Sequence, residues 1–420
     1  MRPIPRRTLL KVGAAATAFA GVATAARVFG KKPIRVGVMH SMTGTMSSSE
    51  LPVIDATLMA IDEVNASGGL LGRKVEAVVV DGGSNNERFA QAASTLVRRA
   101  DIATVFGCWT SASRKSVVPI FERAGHLLVY PVQYEGLEQS PNVIYTGAAP
   151  NQQITPAVAW AYENLGRSFF LVGSDYVFPR SANAIIRDQL RAIGATLVAE
   201  RYVPLGSREV GAIVREIAES RPAVILNTIN GDTNVAFFRA LREAGVTAAR
   251  SPALSFSIAE PELQAIGGSL AEGDYAAWNY FQSLSLRKNV DWVQRFRARH
   301  GATRTLSDPM EAAYFGVHLW ALAVRDAGVV EPRVIRQAML AQSFDAPEGV
   351  VAVDAESGHC WKSVRIGRAR RDGQFDVVWN SELPTRPEPF PIYRSREDWE
   401  RFLRELYEGW GRRWSAPSRA

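Results

Sequence analysis

Cysteine is almost missing from this 420-residue chain: Cys108 and Cys360 are the only two. That excludes a disulfide framework and a cysteine-ligated metal site, while a single bridge between the two stays open. Histidine is scarce too, five in all, and His40, His126 and His300 form no spaced set of metal ligands. The motifs GxxxxGKS/T, HExxH, CxxC and GxSxG do not occur. Nothing therefore signals a phosphate cradle, a zinc peptidase, a redox pair or a serine hydrolase. Gly68-Gly69-Leu70-Leu71-Gly72 is glycine-rich, but it follows a helix pattern and precedes a strand pattern. A nucleotide loop needs the reverse order, so this is a tight turn. No cofactor, no metal and no enzymatic activity are expected.

The formal charge of +7 is basic, yet part of it sits in a leader. Arg2, Arg6, Arg7 and Lys11 have no acid among residues 1–30. Setting these four aside leaves +3 on the remainder, too little to invoke nucleic acid. Arg6-Arg7-Thr8-Leu9-Leu10-Lys11 resembles a twin-arginine (Tat) export signature, with Leu9 where the pattern usually has Phe. An Ala-rich run over 12–25 follows, and Ala23-Thr24-Ala25 offers a small-x-small cleavage site. The run is shorter than the ~20 apolar residues a membrane span requires. Residues 1–30 are therefore expected to be a cleaved signal peptide, and the mature chain to be periplasmic.

What is there is alternation. Short apolar runs at 34–39, 75–80, 102–106 and 127–130 read as buried strands. Between them lie helix patterns, one from Pro52 with Ile54, Leu58, Ile61 and Val64 on one face, then 86–100 and 111–124. The rhythm restarts after Ala148-Ala149-Pro150, with strands at 169–173, 196–199 and 223–228 and helices at 182–193, 208–220 and 232–244. Two α/β units are implied, each with a parallel sheet covered on both faces. Residues 275–281 and helices at 291–300, 309–327 and 332–341 follow, then strands at 349–353, 361–366 and 375–379. These read as returns into the two units. A charged, Trp-bearing helix over 394–414 ends the chain.

Open parallel sheets bind ligands at the carboxyl ends of their strands. There the chain carries GCWTSASRK, YPVQYEG, TGAAPNQQ, GSDYVFPR, NGDTNVAFF, SFSIAE, AAWNYF, DPMEAAY and FDAPEG. Together, across residues 34–379, these segments resemble the type I periplasmic binding proteins. More narrowly they resemble the urea-type substrate-binding proteins of ABC importers and the related short-chain amide-binding regulators. The resemblance implies a Venus-flytrap fold: two Rossmann-like lobes joined by three crossovers, placed near Ala149, Ala277 and Phe344. The lobes would be 31–149 with 278–343, and 150–277 with 344–385, leaving 386–420 as an extension. The partners implied are a small polar ligand, urea or an amide, and a membrane permease.

Urea and small amides are flat and neutral, with N–H donors and a carbonyl acceptor that a dry cleft must pair. Ser111 opens a helix and matches a ligand-contacting serine of the amide-binding relatives, although plain helix capping would also explain it. Tyr130 and Tyr176 match pocket tyrosines, and Trp109, beside Thr110, is a wall or core residue. Asp175 is the preferred acceptor for N–H groups, set against an Asx turn before Pro179. Asp232 starts a helix, where capping is the simpler role. Ser41 and Gln133 are outer candidates. Amide regulators align Thr at Val132 and Tyr at Phe178, so the YPVQYEG segment points instead to urea. The rival readings are a branched-chain amino-acid binder and an exported amide sensor.

Overall fold

A computed structural model describes residues 32–417; the expected signal peptide lies outside the described residues. Strands β1 (Ile34–His40), β2 (Val75–Asp81), β3 (Ile102–Gly107), β4 (Leu128–Tyr130) and β5 (Val143–Tyr145) alternate with helices α1 (Ser47–Ala66), α2 (Asn86–Val97) and α3 (Ser111–Ala124). They form a parallel five-stranded sheet in the order β2-β1-β3-β4-β5. β3 is buried along its whole length, as a strand with helices on both faces must be.

The second lobe repeats the scheme with α4 (Ile154–Asn164), β6 (Ser168–Ser174), α5 (Val177–Ala192), β7 (Thr196–Val203), α6 (Gly211–Ser220) and β8 (Val224–Thr228). It continues through α7 (Thr233–Glu243), β9 (Ala253–Ser255), α8 (Glu260–Ile266), α9 (Gly268–Ala271) and β10 (Tyr275–Trp278). Helices α10 (Arg287–His300), α11 (Asp308–Ala327) and α12 (Pro332–Met339) then return to the first lobe, where Trp292, Phe296 and Trp320 join its core. The last elements are β11 (Ser343–Ala346), β12 (Gly349–Val353), β13 (Cys360–Trp361), β14 (Arg365–Ala369), β15 (Phe375–Asn380) and α13 (Arg396–Gly409). The second sheet runs β15-β14-β10-β9-β8-β6-β7, with β14 and β15 antiparallel.

Three differences from the sequence reading have local causes. α1 begins at Ser47 rather than Pro52, and it holds the proline inside. α5 begins at Val177, a turn before the expected 182, with Pro179 near its start where a missing N–H costs nothing. The third crossover does not fall near Phe344. Ser343–Ala346 pairs with Gly349–Val353, which pairs with Cys360–Trp361, and all three stay on the first core. The chain enters the second sheet only after Lys362.

The crossovers are tied to one another by buried side chains. Gln152 donates to the carbonyls of Cys360 and Thr385, both at 2.8 Å, and its own carbonyl accepts from Asn279 at 3.0 Å. Asn279 also donates to Ser363 O at 2.8 Å. Asp308, at the start of α11, accepts the backbone N–H groups of Asn279 and Tyr280. Lys362 reaches Thr146 O at 3.1 Å, and the carboxylates of Asp308, Glu348 and Glu311 outweigh its burial to raise its pKa.

The first lobe's core gives a direct check. Trp320 is fully buried with its ring edge-on to Phe106 at 5.8 Å. Trp320→Ala is expected to cost about 3–5 kcal/mol, read as a lower midpoint in guanidinium unfolding.

Candidate functional site

The two lobes face each other across the carboxyl ends of their parallel strands, and in this structure they are closed. Thr45 Oγ1 of the first lobe donates to Asp232 of the second at 2.5 Å. Ser49 Oγ donates to Glu262 at 2.7 Å, and Gln133 Nε2 to Phe256 O at 2.9 Å. Ala112 and Leu137, on the first lobe, are buried within the apolar cluster of the second.

The first-lobe wall is built by the turn between β3 and α3. Cys108 sits in the left-handed region at φ 66° and donates its N–H to Met39 O. That conformation is costly for an L residue, and Trp109, next in the chain, is buried in the first core. Thr110, not Ser111, is the cap: its hydroxyl accepts from Ser113 N at 3.0 Å. Ser111 is thereby freed from capping. Its hydroxyl donates to Glu135 and accepts from Arg114 Nη1 at 3.1 Å.

Arg114, one turn along α3, is fully buried and held by two carboxylates, Glu135 at 3.1 Å and Glu138 at 2.9 Å. Burial would lower its pKa, but the charges of Glu138 and Glu135 raise it well above the usual value. Burial alone would raise Glu138; Arg114 and Lys115 outweigh it and bring that carboxyl down to about 2. The guanidinium also lies over the rings of Tyr134 at 4.2 Å and Tyr130 at 4.8 Å. Tyr134 and Tyr145 stack in turn with His359, which burial lowers to about 4 and so keeps neutral.

The expected site residues divide. Ser111, Trp109, Thr110, Tyr130, Gln133 and Tyr176 are all buried, Trp109 and Tyr130 in the first core and Tyr176 in the second. Tyr130 donates its hydroxyl to Trp109 O at 2.6 Å. Tyr176 is close enough to Tyr130, Glu135 and Arg114 for their charges to act on its phenol, whose pKa burial raises. Asp175 turns aside: its carboxylate pairs with Arg180 at 2.8 Å. It is therefore not the free acceptor the sequence suggested. Asp232 stands at the cap position of α7 without a capping bond and spends its carboxylate on Thr45 across the gap. Ser41 is a loop brace, accepting from Ser84 N at 2.9 Å while its N–H goes to Glu50.

Residues that the sequence reading passed over carry much of the wall. Arg114 and Glu135 stand inside quoted segments, and the signal was a basic pair one turn after a helix start with an acid in the facing loop. Buried polar atoms that lack partners include Gln133 Oε1, Thr233 Oγ1, Ser257 Oγ and Glu260 Oε2. Both cysteines are buried and free, so no bridge joins them. Among the described residues no cluster of three or more His, Cys, Asp or Glu could hold a metal ion. No helix among them is long and apolar enough to cross a membrane.

Fold and cleft together define a type I periplasmic binding protein. The periplasmic binding protein domain model matches residues 34–396, and the chain belongs to that family. It is 24% identical over 391 residues to Leu/Ile/Val-binding protein homolog 8 of Brucella abortus, covering 86% of this chain and 94% of that one. A shorter stretch of 124 residues is 32% identical to limonene hydroxylase of Geobacillus stearothermophilus, covering 30% of this chain and 23% of that protein. A solved structure similar in fold is an ABC-transporter solute-binding protein of Rhodopseudomonas palustris in complex with 3,4-dihydroxybenzoic acid. It shows 18% identity and a TM-score of 0.76, covering 85% of this chain and 99% of that one.

Two measurements probe this wall. Glu135→Ala leaves the buried Arg114 with one carboxylate fewer and is expected to cost about 3 kcal/mol, read by thermal unfolding. Glu260, at the start of α8, is fully buried, and burial pushes its pKa from 4.5 up to about 8 against the N–H of Gln282. The folded state thus holds that proton more tightly than the unfolded chain. The stability it contributes is full below pH 4.5 and is lost as pH rises through about 8. Glu260→Gln is expected to flatten the fall in melting temperature over that range.

Proposed function

We propose that this chain is the solute-binding component of an ABC importer, working in the periplasm, and that its solute is urea or a short-chain amide. The lobes close over the solute, shifting an open–closed equilibrium, and the closed form docks on a membrane permease. The family supports the binding role, and binding without turnover accords with the absence of a nucleophile–base motif in the sequence.

The observation that carries the choice of an uncharged solute is how the polar groups around the gap are already spent. Arg114 pairs with Glu135 and Glu138, Lys115 with Glu138, and Asp175 with Arg180. Among the buried atoms without partners are the amide oxygen of Gln133 and the hydroxyls of Thr233 and Ser257, with one carboxyl oxygen of Glu260, whose pKa burial raises to about 8. A dry cleft must pair every polar group it encloses. An amide brings N–H donors for the oxygen and a carbonyl for the hydroxyls; a zwitterion brings a carboxylate, and the cations Arg114, Lys115 and Arg180 are already paired.

A second reading, an amino-acid binder, is favoured by the Leu/Ile/Val-binding name of the Brucella relative. Asp232, whose carboxylate meets only a hydroxyl, is the group that would have to take the ammonium. Titration calorimetry of the full mature chain with urea, acetamide and leucine separates the readings. Saturable heat from urea or acetamide, and none from leucine, is expected. Tight leucine binding with no signal from the other two would overturn the uncharged-solute reading.

A further inference from the structure

The extension after β15 does not end at the second sheet but travels between the lobes. It first meets the first lobe: Arg386 pairs with Asp354 at 3.1 Å, and Pro389 O accepts from Leu137 N at 2.7 Å. That approach is so close that a Cβ on Gly136, at φ 67°, would lie 2.1 Å from Pro389 O. The chain then crosses to the second lobe. Pro391 O accepts from the indole of Trp399, Arg394 pairs with Asp188, and Trp399 and Leu403 of α13 sink into the second core.

After α13 the chain turns back to the mouth of the cleft. Val177 N donates to Trp414 O at 3.0 Å, and Ala416 N to Asp175 O at 3.1 Å, so Ser415 bridges Tyr176 in antiparallel fashion. The carbonyl of Trp414 thus takes the first amide of α5, a group a helix start otherwise offers to a ligand. The Trp414 ring packs on Tyr407 with centroids 4.5 Å apart and faces Lys115 Nζ of the first lobe at 5.1 Å.

We propose that this tail is a latch and that Trp414 is the positioning residue that holds the cleft closed. Its backbone is fixed to the second lobe, while its ring grips a cation on the first. Opening the lobes must draw Lys115 off the ring. A desolvated cation–aromatic contact of this kind biases the closed state about three- to tenfold. The latch acts whatever solute the cleft takes, so it stands apart from the urea or amide reading.

The test uses the ligand-free protein with one spin label on each lobe, at Arg123→Cys and Glu243→Cys, both exposed. The native cysteines are buried. The full chain is expected to show mainly the short interlobe distance. Trp414→Ala, and a chain ending at Gly411, are expected to raise the long-distance population about three- to tenfold. Trp414→Phe keeps an aromatic face and is expected to restore the short distance, which a merely structural role would not predict. Circular dichroism confirms that each variant is folded. The same distance distribution in the alanine variant, the truncated chain and the parent overturns the latch.

Discussion

A guanidinium shut away from water has to be answered by carboxylates, and Arg114 imposes that demand on the whole first-lobe wall. Glu135 and Glu138 must stand in the loop after β4 to meet it, and Ser111 must turn its hydroxyl inward to bridge Glu135 and Arg114. The tyrosines follow, because a buried cation gains from ring faces as well as anions. With Thr110 taking the cap of α3, the local hydrogen bonding leaves Ser111 free for this task.

The hinge obeys the same rule with different residues. Crossovers between the lobes present backbone carbonyls at Gln152, Cys360 and Ser363. Gln152 and Asn279, each with an amide that bonds in two directions, satisfy carbonyls on neighbouring crossovers. Lys362 stands among Asp308, Glu311 and Glu348, and burial raises the pKa of both glutamates. Across the gap, Thr45 meets Asp232 and Ser49 meets Glu262.

Much of this was legible beforehand. Continuous apolar strands alternating with amphipathic helices specify parallel sheets covered on both faces, and the model contains two such sheets in sequence. The segments carrying Trp109, Ser111, Tyr130, Gln133 and Tyr176 could be placed after strands by the same pattern. The path of 343–361 could not. Short strands of mixed polarity do not declare which sheet they join, and only their pairing keeps them on the first core.

The amino-acid order by itself thus determined the α/β architecture with its parallel strands, since hydrophobic period is a local property. Partnership was decided by the tertiary structure. Asp175 is the preferred acceptor in the sequence and Asp232 a helix cap, yet one pairs with Arg180 and the other with Thr45 of the opposite lobe. A carboxylate's role depends on which cation or donor the fold carries to within about 3 Å, and no spacing along a chain encodes that distance.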